Sequence, residues 1–248
     1  MAANASYNSL QLGLEKRLSH GFTVLANYTY SKALDDIPTG GSITGPSAGT
    51  SYARPWNFPN TSALDYGPSD FDHRQRLVLS YVWLIPSPGG SSKVLKGVFG
   101  DWQLTGIFQS QSGDEFTVLA GTDRSQTGIG RDHGVLTGTA FGPGACTTAA
   151  PCVNDLVPGS FALPAIGTFG SIGKGSLRGP GLLGWDVGLF RNISIHERAS
   201  LQFRAESFNV LNRANFADPV STISSGGFGS ITSSADPRIG QLALKLLF

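Results

Sequence analysis

Seven segments of this sequence alternate between apolar and polar residues with a period of two. They cover residues 7–18, 21–31, 74–84, 101–112, 185–193, 199–209 and 239–248. Because successive side chains of a strand point to opposite faces of a sheet, each segment predicts a β-strand with one apolar face. About ten residues at about 3.3 Å each, tilted by about 40°, span roughly 25 Å, which matches the apolar band of a membrane barrel.

The connections between these segments alternate in length. The short connections are residues 19–20, 85–100 and 194–198, and the long ones are residues 32–73, 113–184 and 210–238. Tight turns at one end and extended loops at the other are typical of outer-membrane barrels. We therefore predict an all-β fold, an antiparallel transmembrane β-barrel to which this chain supplies about seven or eight strands. The final strand then runs inward and leaves Phe248 in the periplasm.

Two alternatives fit the same alternation. A non-transporting surface β-sheet that acts as an adhesion module, with one solvated face, has an identical apolar and polar pattern. A complete small eight-stranded outer-membrane barrel results if residues 116–120 (FTVLA) add a strand. The alternation of short and long connections argues against this eighth strand, because it requires one more crossing between the fourth and fifth segments.

Composition narrows the classes of protein further. The chain has 248 residues with 33 Gly and 14 Pro, which favours turns and loops over long helices. The net charge of +1 gives no basic surface for nucleic acid. Residues 1–20 lack the features of a secretory signal, and a barrel protein needs export. We therefore predict that residues 1–248 are the C-terminal part of a longer barrel protein.

The polar faces of the predicted strands carry charged and amide side chains. Such groups are costly in a packed core, but a wide, wet lumen accepts them. The candidates for contact with a solute in the lumen are Arg76, Gln103, Gln109, Asp186, Arg204 and Glu206. Arg204 and Glu206 are two residues apart and share one face, so an ion pair within the wall is the alternative to solute contact.

Cys146 and Cys152 lie in a loop-like stretch with five residues between them (CTTAAPC). This spacing allows a small disulfide-closed loop in an oxidising compartment, and free thiols are the alternative. Glycine-rich stretches at residues 38–45, 128–134 and 224–230 do not open a helix after a strand. They therefore predict mobile outer loops rather than a cradle for phosphate.

Signals for catalysis are weak. His73 near Ser69 or Ser80 is the one pairing that a lipase on the barrel wall would need, and a structural role fits His73 better. Asp114 and Glu115 are adjacent, so in a strand they point to opposite faces and do not act as an acid–base pair. We therefore predict no enzyme activity and no cofactor.

A metal site also has little support. Asp70, Asp72 and His73 offer oxygen and nitrogen ligands, but the stretch lacks the turn glycines that make such closely spaced groups converge on a cation. We predict no metal at this stretch.

Six collinear stretches carry a further signal. They are residues 7–18 with 28–35 (YTYSKALD), 70–81 (DFDHRQRLVLSY), 100–112 (GDWQLTGIFQSQS), 169–186 (FGSIGKGSLRGPGLLGWD), 201–216 (LQFRAESFNVLNRANF) and 235–248 (ADPRIGQLALKLLF). These stretches resemble the C-terminal barrel of TonB-dependent receptors of the Oar-like group. Together they span nearly the whole chain in order.

The resemblance implies a 22-stranded barrel with a plugged lumen, of which this chain holds seven strands. It implies a wall and outer loops of a substrate-uptake channel in the bacterial outer membrane. It also implies three partners. These are the barrel-assembly machinery, which would recognise the terminal aromatic Phe248, the outer-membrane lipid, and TonB, which would act through an N-terminal plug that these residues do not include.

Overall fold

The fold is described from a computed structural model. It covers residues 4–19, 21–36, 65–87, 97, 99–128, 130–142, 153–154, 156–196 and 199–248. The strands are β1 (Ala5–Ser19), β2 (Phe22–Asp35), β3 (Gly67–Pro68), β4 (Gln75–Leu84), β5 (Trp102–Gln111), β6 (Glu115–Phe116), β7 (Val135–Leu136), β8 (Val153–Asn154), β9 (Phe161–Ala162), β10 (Leu177–Arg178), β11 (Leu182–His196), β12 (Ala199–Phe208), β13 (Ser230–Ile231) and β14 (Ile239–Leu247), with one 3-10 turn at Pro158–Ser160. Within these ranges, no helix is both long enough and apolar enough to span a membrane.

Seven long strands form one antiparallel sheet in the order β1-β2-β4-β5-β11-β12-β14, and β3 adds a short pairing to the end of β2. These are the seven strands that the alternation predicts, so the predicted all-β antiparallel fold is confirmed. The fifth is longer than expected, since β11 begins at Leu182 and ends at His196. The sheet order follows the chain order of the long strands, which is an up-and-down arrangement.

The register places every predicted apolar face on one side of the sheet. One row across five strands reads Val24, Tyr81, Gly106, Val187 and Ser207. The outward side chains of the edge strands are left uncovered by protein, and Leu242 on β14 is 77% exposed. A broad exposed apolar band on a sheet matches the lipid-facing surface of a barrel.

Aromatic residues lie on this apolar side near both strand ends. At the end of the sheet where the short connections lie, Phe22 is directly opposite Trp83. At the same end, the Trp102 and Phe203 rings meet edge to face with centroids 5.8 Å apart. This distribution corresponds to the aromatic girdle of membrane barrels, where rings sit at the level of the lipid headgroups.

The described sheet is open. β1 pairs with β2 and β14 pairs with β12, and among the described residues the path has no pairing that joins β1 to β14. Residues 116–120 do not enter this sheet, so the prediction of an eighth spanning strand there is wrong. Instead β6 pairs with β10, and Val118 and Ala120 are fully buried in the connection after β5.

The apolar core lies in the long connections rather than in the sheet. It consists of Phe116, Val118, Leu156, Phe161, Ile172 and Leu177. We call the described parts of the long connections (residues 36, 65–74, 112–128, 130–142, 153–154, 156–181 and 209–238) the loop unit. Its segments cross-pair, since Leu119 bridges both His133 and Thr222. A sheet with lipid on one side and water on the other has no interior, so protein-type packing is confined to these loops.

Two predictions about the glycine-rich stretches are corrected by the loop unit. In the 128–134 stretch Asp132 and His133 are buried, and in the 224–230 stretch Ser230 begins β13, which pairs with β8. Both stretches therefore contain buried positions within the loop unit, and at Gly134 the lack of a side chain allows close packing. A Cβ at Gly134 would lie 2.7 Å from the Ile223 side chain. The 38–45 stretch lies outside the described residues.

Candidate functional site

All six predicted solute-contact residues lie on the polar side of the sheet. Direct pairings link Arg76 to Gln111, Gln109 to Val78 and Gly184, Gln103 to Phe190, Asp186 to Ile107, Arg204 to Phe190, and Glu206 to Gly188. In an antiparallel sheet, directly opposite residues share a face, so these rows are continuous across the strands. The alternation in the sequence was sufficient to assign this face.

Three of the six candidates lie near one another on β11 and β12, since Arg204 and Glu206 form an ion pair and Asp186 and Glu206 line one cavity. Arg204 Nη2 donates to Glu206 Oε1 at 2.8 Å, and Gln241 Nε2 donates to the other carboxylate oxygen of Glu206 at 2.5 Å. The Arg204 guanidinium also lies over the Phe190 ring, 5.2 Å from its centroid. This is the ion pair within the wall that the i, i+2 spacing predicted. Since both side chains are partly exposed, it orients the charges more than it stabilises the fold.

A cavity of about 400 Å³ lies beside this ion pair on the polar side, lined by Thr105, Ile107, Asp186, Gly188, Phe190 and Glu206 among others. Gly188 shapes it, because a Cβ there would lie 2.6 Å from the Phe190 ring and 2.9 Å from the Thr105 hydroxyl. Asp186 bounds the other end, where its Oδ1 accepts from the Asn209 backbone N at 2.8 Å. Aromatic and aliphatic side chains with two carboxylates around one depression suit a polar solute with an apolar part.

The remaining candidates share the face but not the cluster. Gln103 lines a separate depression with Asp101 and Arg191 at the end of the short connections. Gln109 lies over Gly184, and Arg76 is exposed near the loop unit. Solute contact by any of the six stays a prediction.

A buried charge network at the junction of sheet and loop unit escaped the sequence analysis. Arg74 and Arg178 each lie 3.4 Å from Asp72 Oδ2, and Arg178 also contacts Glu115. Asp72 Oδ1 accepts from the Ala33 N at 2.7 Å. Burial raises the pKa of Glu115, and the Arg178 charge only partly offsets this effect. The network fixes the loop unit to the ends of β2, β4 and β5.

A second buried pair reinforces this junction. Lys174 Nζ contacts the Asp35 carboxylate and donates to the Asp35 backbone oxygen at 3.2 Å, and both residues are buried. Arg178 and Lys174 lie far along the chain from the carboxylates that they contact, within a connection without periodicity. Their partners therefore could not be assigned from spacing.

The groups considered for catalysis are used structurally. His73 Nδ1 lies 3.1 Å from Asp114 Oδ1 and 3.0 Å from Gln111 Nε2. Ser69 is buried and its hydroxyl accepts from the Phe71 N, while Ser80 lies well inside β4 beside Ile107. These contacts place no histidine beside Ser69 or Ser80 that could act as a general base.

The groups considered for metal binding fare similarly. Asp72 pairs with Arg74 and Arg178, and these two positive charges compete with any cation for its carboxylate. Among the described residues, no group of three or more His, Cys, Asp and Glu side chains is placed to hold a metal ion. Cys146 and Cys152 lie outside the described residues, and their predicted disulfide is untested.

Comparison with known proteins agrees with this architecture. A search of curated proteins and a search of solved structures each gave no match. The family model described as outer membrane beta barrel domain matches residues 1–241, which include six of the seven long strands and the start of the last. The chain therefore belongs to the outer membrane beta barrel domain family, and its place is the bacterial outer membrane.

Proposed function

We propose that this chain forms the wall and outer vestibule of a substrate-uptake channel of the TonB-dependent receptor class, in its Oar-like group. The observation that carries the proposal is the polar side of the sheet, where Asp186 and Glu206 line a cavity and Arg204 forms an ion pair with Glu206 beside it. Charged groups around an open depression suit a water-filled lumen through which a polar solute passes.

The open sheet favours a large barrel over a small one. The interior of an eight-stranded barrel is filled by side chains or holds one small ligand, so a charged, water-filled lumen fits a wider barrel better. Further strands that pair with β1 and β14 would enlarge the lumen and cover both edges, which otherwise invite association with other chains.

The chain acts in this proposal as a passive wall without enzymatic activity. Its assembly partner is the barrel-assembly machinery, which binds the terminal strand with Phe248. TonB acts through a plug domain that residues 1–248 do not include. Outer-membrane lipid covers the apolar face.

Ion selectivity of the native full-length protein in a planar bilayer tests whether the cluster lines the path. Neutralising one residue of the ion pair leaves the charge of the other in the lumen. Glu206→Gln should therefore shift the ion selectivity, measured as the reversal potential, toward anions, and Arg204→Gln should shift it toward cations. Asp236→Asn, an exposed aspartate in the loop unit, is the control and should cause no shift. Equal reversal potentials in all variants would remove the cluster from the path.

Cross-linking tests the receptor class separately. The native full-length protein should cross-link to the periplasmic domain of TonB in intact cells. Absence of a cross-link, with conductance retained, would leave an outer-membrane channel that does not depend on TonB.

A further inference from the structure

One loop of the loop unit has the backbone of a cation-binding turn. Asp123 is followed by Ser125, Thr127 and Gly128 in the pattern D-x-S-x-T-G. Asp123 Oδ1 accepts from the Thr127 N at 3.1 Å, and Oδ2 accepts from the Gly128 N at 2.7 Å. Gly128 has φ +81°, which side chains other than glycine rarely adopt. The start of an EF-hand loop likewise has ligands at alternate positions followed by a glycine in the sixth.

The oxygen atoms of this loop are already spaced as neighbouring ligands. Ser125 Oγ lies 3.2 Å from Asp123 Oδ1 and 2.9 Å from Thr127 Oγ1. Equatorial oxygens of a pentagonal bipyramid with metal–oxygen distances of about 2.4 Å are about 2.8 Å apart.

A second observation, independent of this spacing, is an unpaired buried oxygen at the same loop. Asp132 is 1% exposed, and its Oδ2 accepts from the Ser125 N at 2.6 Å, so the carboxylate faces the turn. Asp132 Oδ1 is buried and has no hydrogen-bond partner. A buried carboxylate oxygen without a partner is costly, and a bound cation removes that cost. The nearby Arg124 is directed elsewhere, because its Nε donates to the Pro164 O at 2.8 Å.

We propose that Asp123, Ser125, Thr127 and Asp132 bind a calcium ion. Asp123 and Asp132 supply the carboxylate oxygens, Ser125 and Thr127 supply hydroxyl oxygens, and water completes the shell from the exposed side of Asp123. All four are oxygen ligands, which suit a hard cation and do not suit zinc. Calcium accepts an irregular set of six to eight ligands, whereas magnesium demands a near-ideal octahedron.

The ion joins this turn to the core of the loop unit. The Asp132 O accepts from the Ala120 N at 2.7 Å, and His133 N donates to the Phe169 O at 3.0 Å. Calcium at the turn therefore links Asp123, Ser125 and Thr127 to the buried segment that contains Asp132. External calcium concentrations would then control the order of one outer loop.

Calorimetric titration of the native full-length protein in detergent with CaCl₂ tests the proposal. We expect saturable binding with Kd on the order of 0.1–1 mM, the range of extracellular calcium modules. Magnesium should bind at least tenfold more weakly. Asp123→Asn should raise the calcium Kd at least tenfold, and because this side chain is exposed the variant should fold normally. Asp132→Asn should do the same, with Asp236→Asn as a matched control that leaves Kd unchanged.

Three results would overturn the proposal. They are no saturable heat up to about 10 mM calcium, an unchanged Kd in Asp123→Asn, or an equal loss of affinity in the Asp236→Asn control. Since Asp132 is buried, a misfolded Asp132→Asn variant would be judged by its circular dichroism and set aside, and Asp123→Asn alone would decide the outcome.

Discussion

Truncation of Leu156 should loosen the loop unit while leaving the sheet in place. Leu156 is 1% exposed and packs in the apolar core with Val118 and Phe161. Removing most of a fully buried leucine side chain costs about 3 kcal/mol, since a cavity remains. If the loop unit opens locally and recloses faster than it is cut, that cost corresponds to roughly 150-fold faster proteolysis.

The assay is limited digestion by thermolysin of the protein reconstituted in bilayers. Leu156→Ala should be cut in the loop unit roughly 150-fold faster than the unsubstituted chain. Leu163→Ala is the matched control, because Leu163 lies in the same unit but is 41% exposed. It should cost about 1 kcal/mol and accelerate cutting roughly fivefold. Equal cleavage rates for the two variants would refute a packed core in the loops.

Three further predictions address the sheet, the junction and assembly. Gly188→Ala should lower the free energy of unfolding in urea by about 1–3 kcal/mol, because its Cβ would meet the Phe190 ring at 2.6 Å. Gly184→Ala should lower it by less than about 1 kcal/mol, because only a flexible side chain lies near Gly184. Equal losses in the two variants would contradict the assigned packing. The raised pKa of Glu115 means that the folded state keeps a proton which the unfolded state loses above its ordinary value of 4.5. The unsubstituted chain should therefore lose stability relative to Glu115→Gln as pH rises from 4.5 through that raised pKa, and a constant difference in unfolding free energy would argue against it. Deletion of Phe248, which is 100% exposed, should reduce outer-membrane insertion in cells without changing refolding in detergent, and a parallel loss of both would assign this residue a role in stability instead.

The sheet could be predicted from sequence because a bilayer imposes a strict pattern on each strand. Each spanning strand needs about ten residues and one apolar face, so alternation assigned both strand and face. The predicted strand ends are close to the observed ones, except that β2 continues to Asp35 and β11 is three residues longer at each end. At those strand ends the side chains no longer face lipid, so an alternation of apolar and polar residues is no longer required.

The loop unit could not be predicted in the same way. Its core residues follow irregular backbone, and their contacts join distant parts of the chain, as when Leu119 bridges Thr222. For the candidate site, alternation assigned the face, and i, i+2 spacing assigned the pair of Arg204 and Glu206. The Phe190 ring beneath Arg204 required the register between β11 and β12, which the sequence does not specify.

The central claim is that one side of this sheet faces lipid and the other faces water, and a cysteine scan along β5 tests it most directly. In a background with Cys146 and Cys152 replaced by serine, each residue of Trp102–Gln111 is changed to cysteine and treated in bilayers with a membrane-impermeant maleimide. Labelling should alternate, with Gln109→Cys labelled and Phe108→Cys protected. Equal labelling of these two neighbours, or protection of Gln109→Cys alone, would contradict the account.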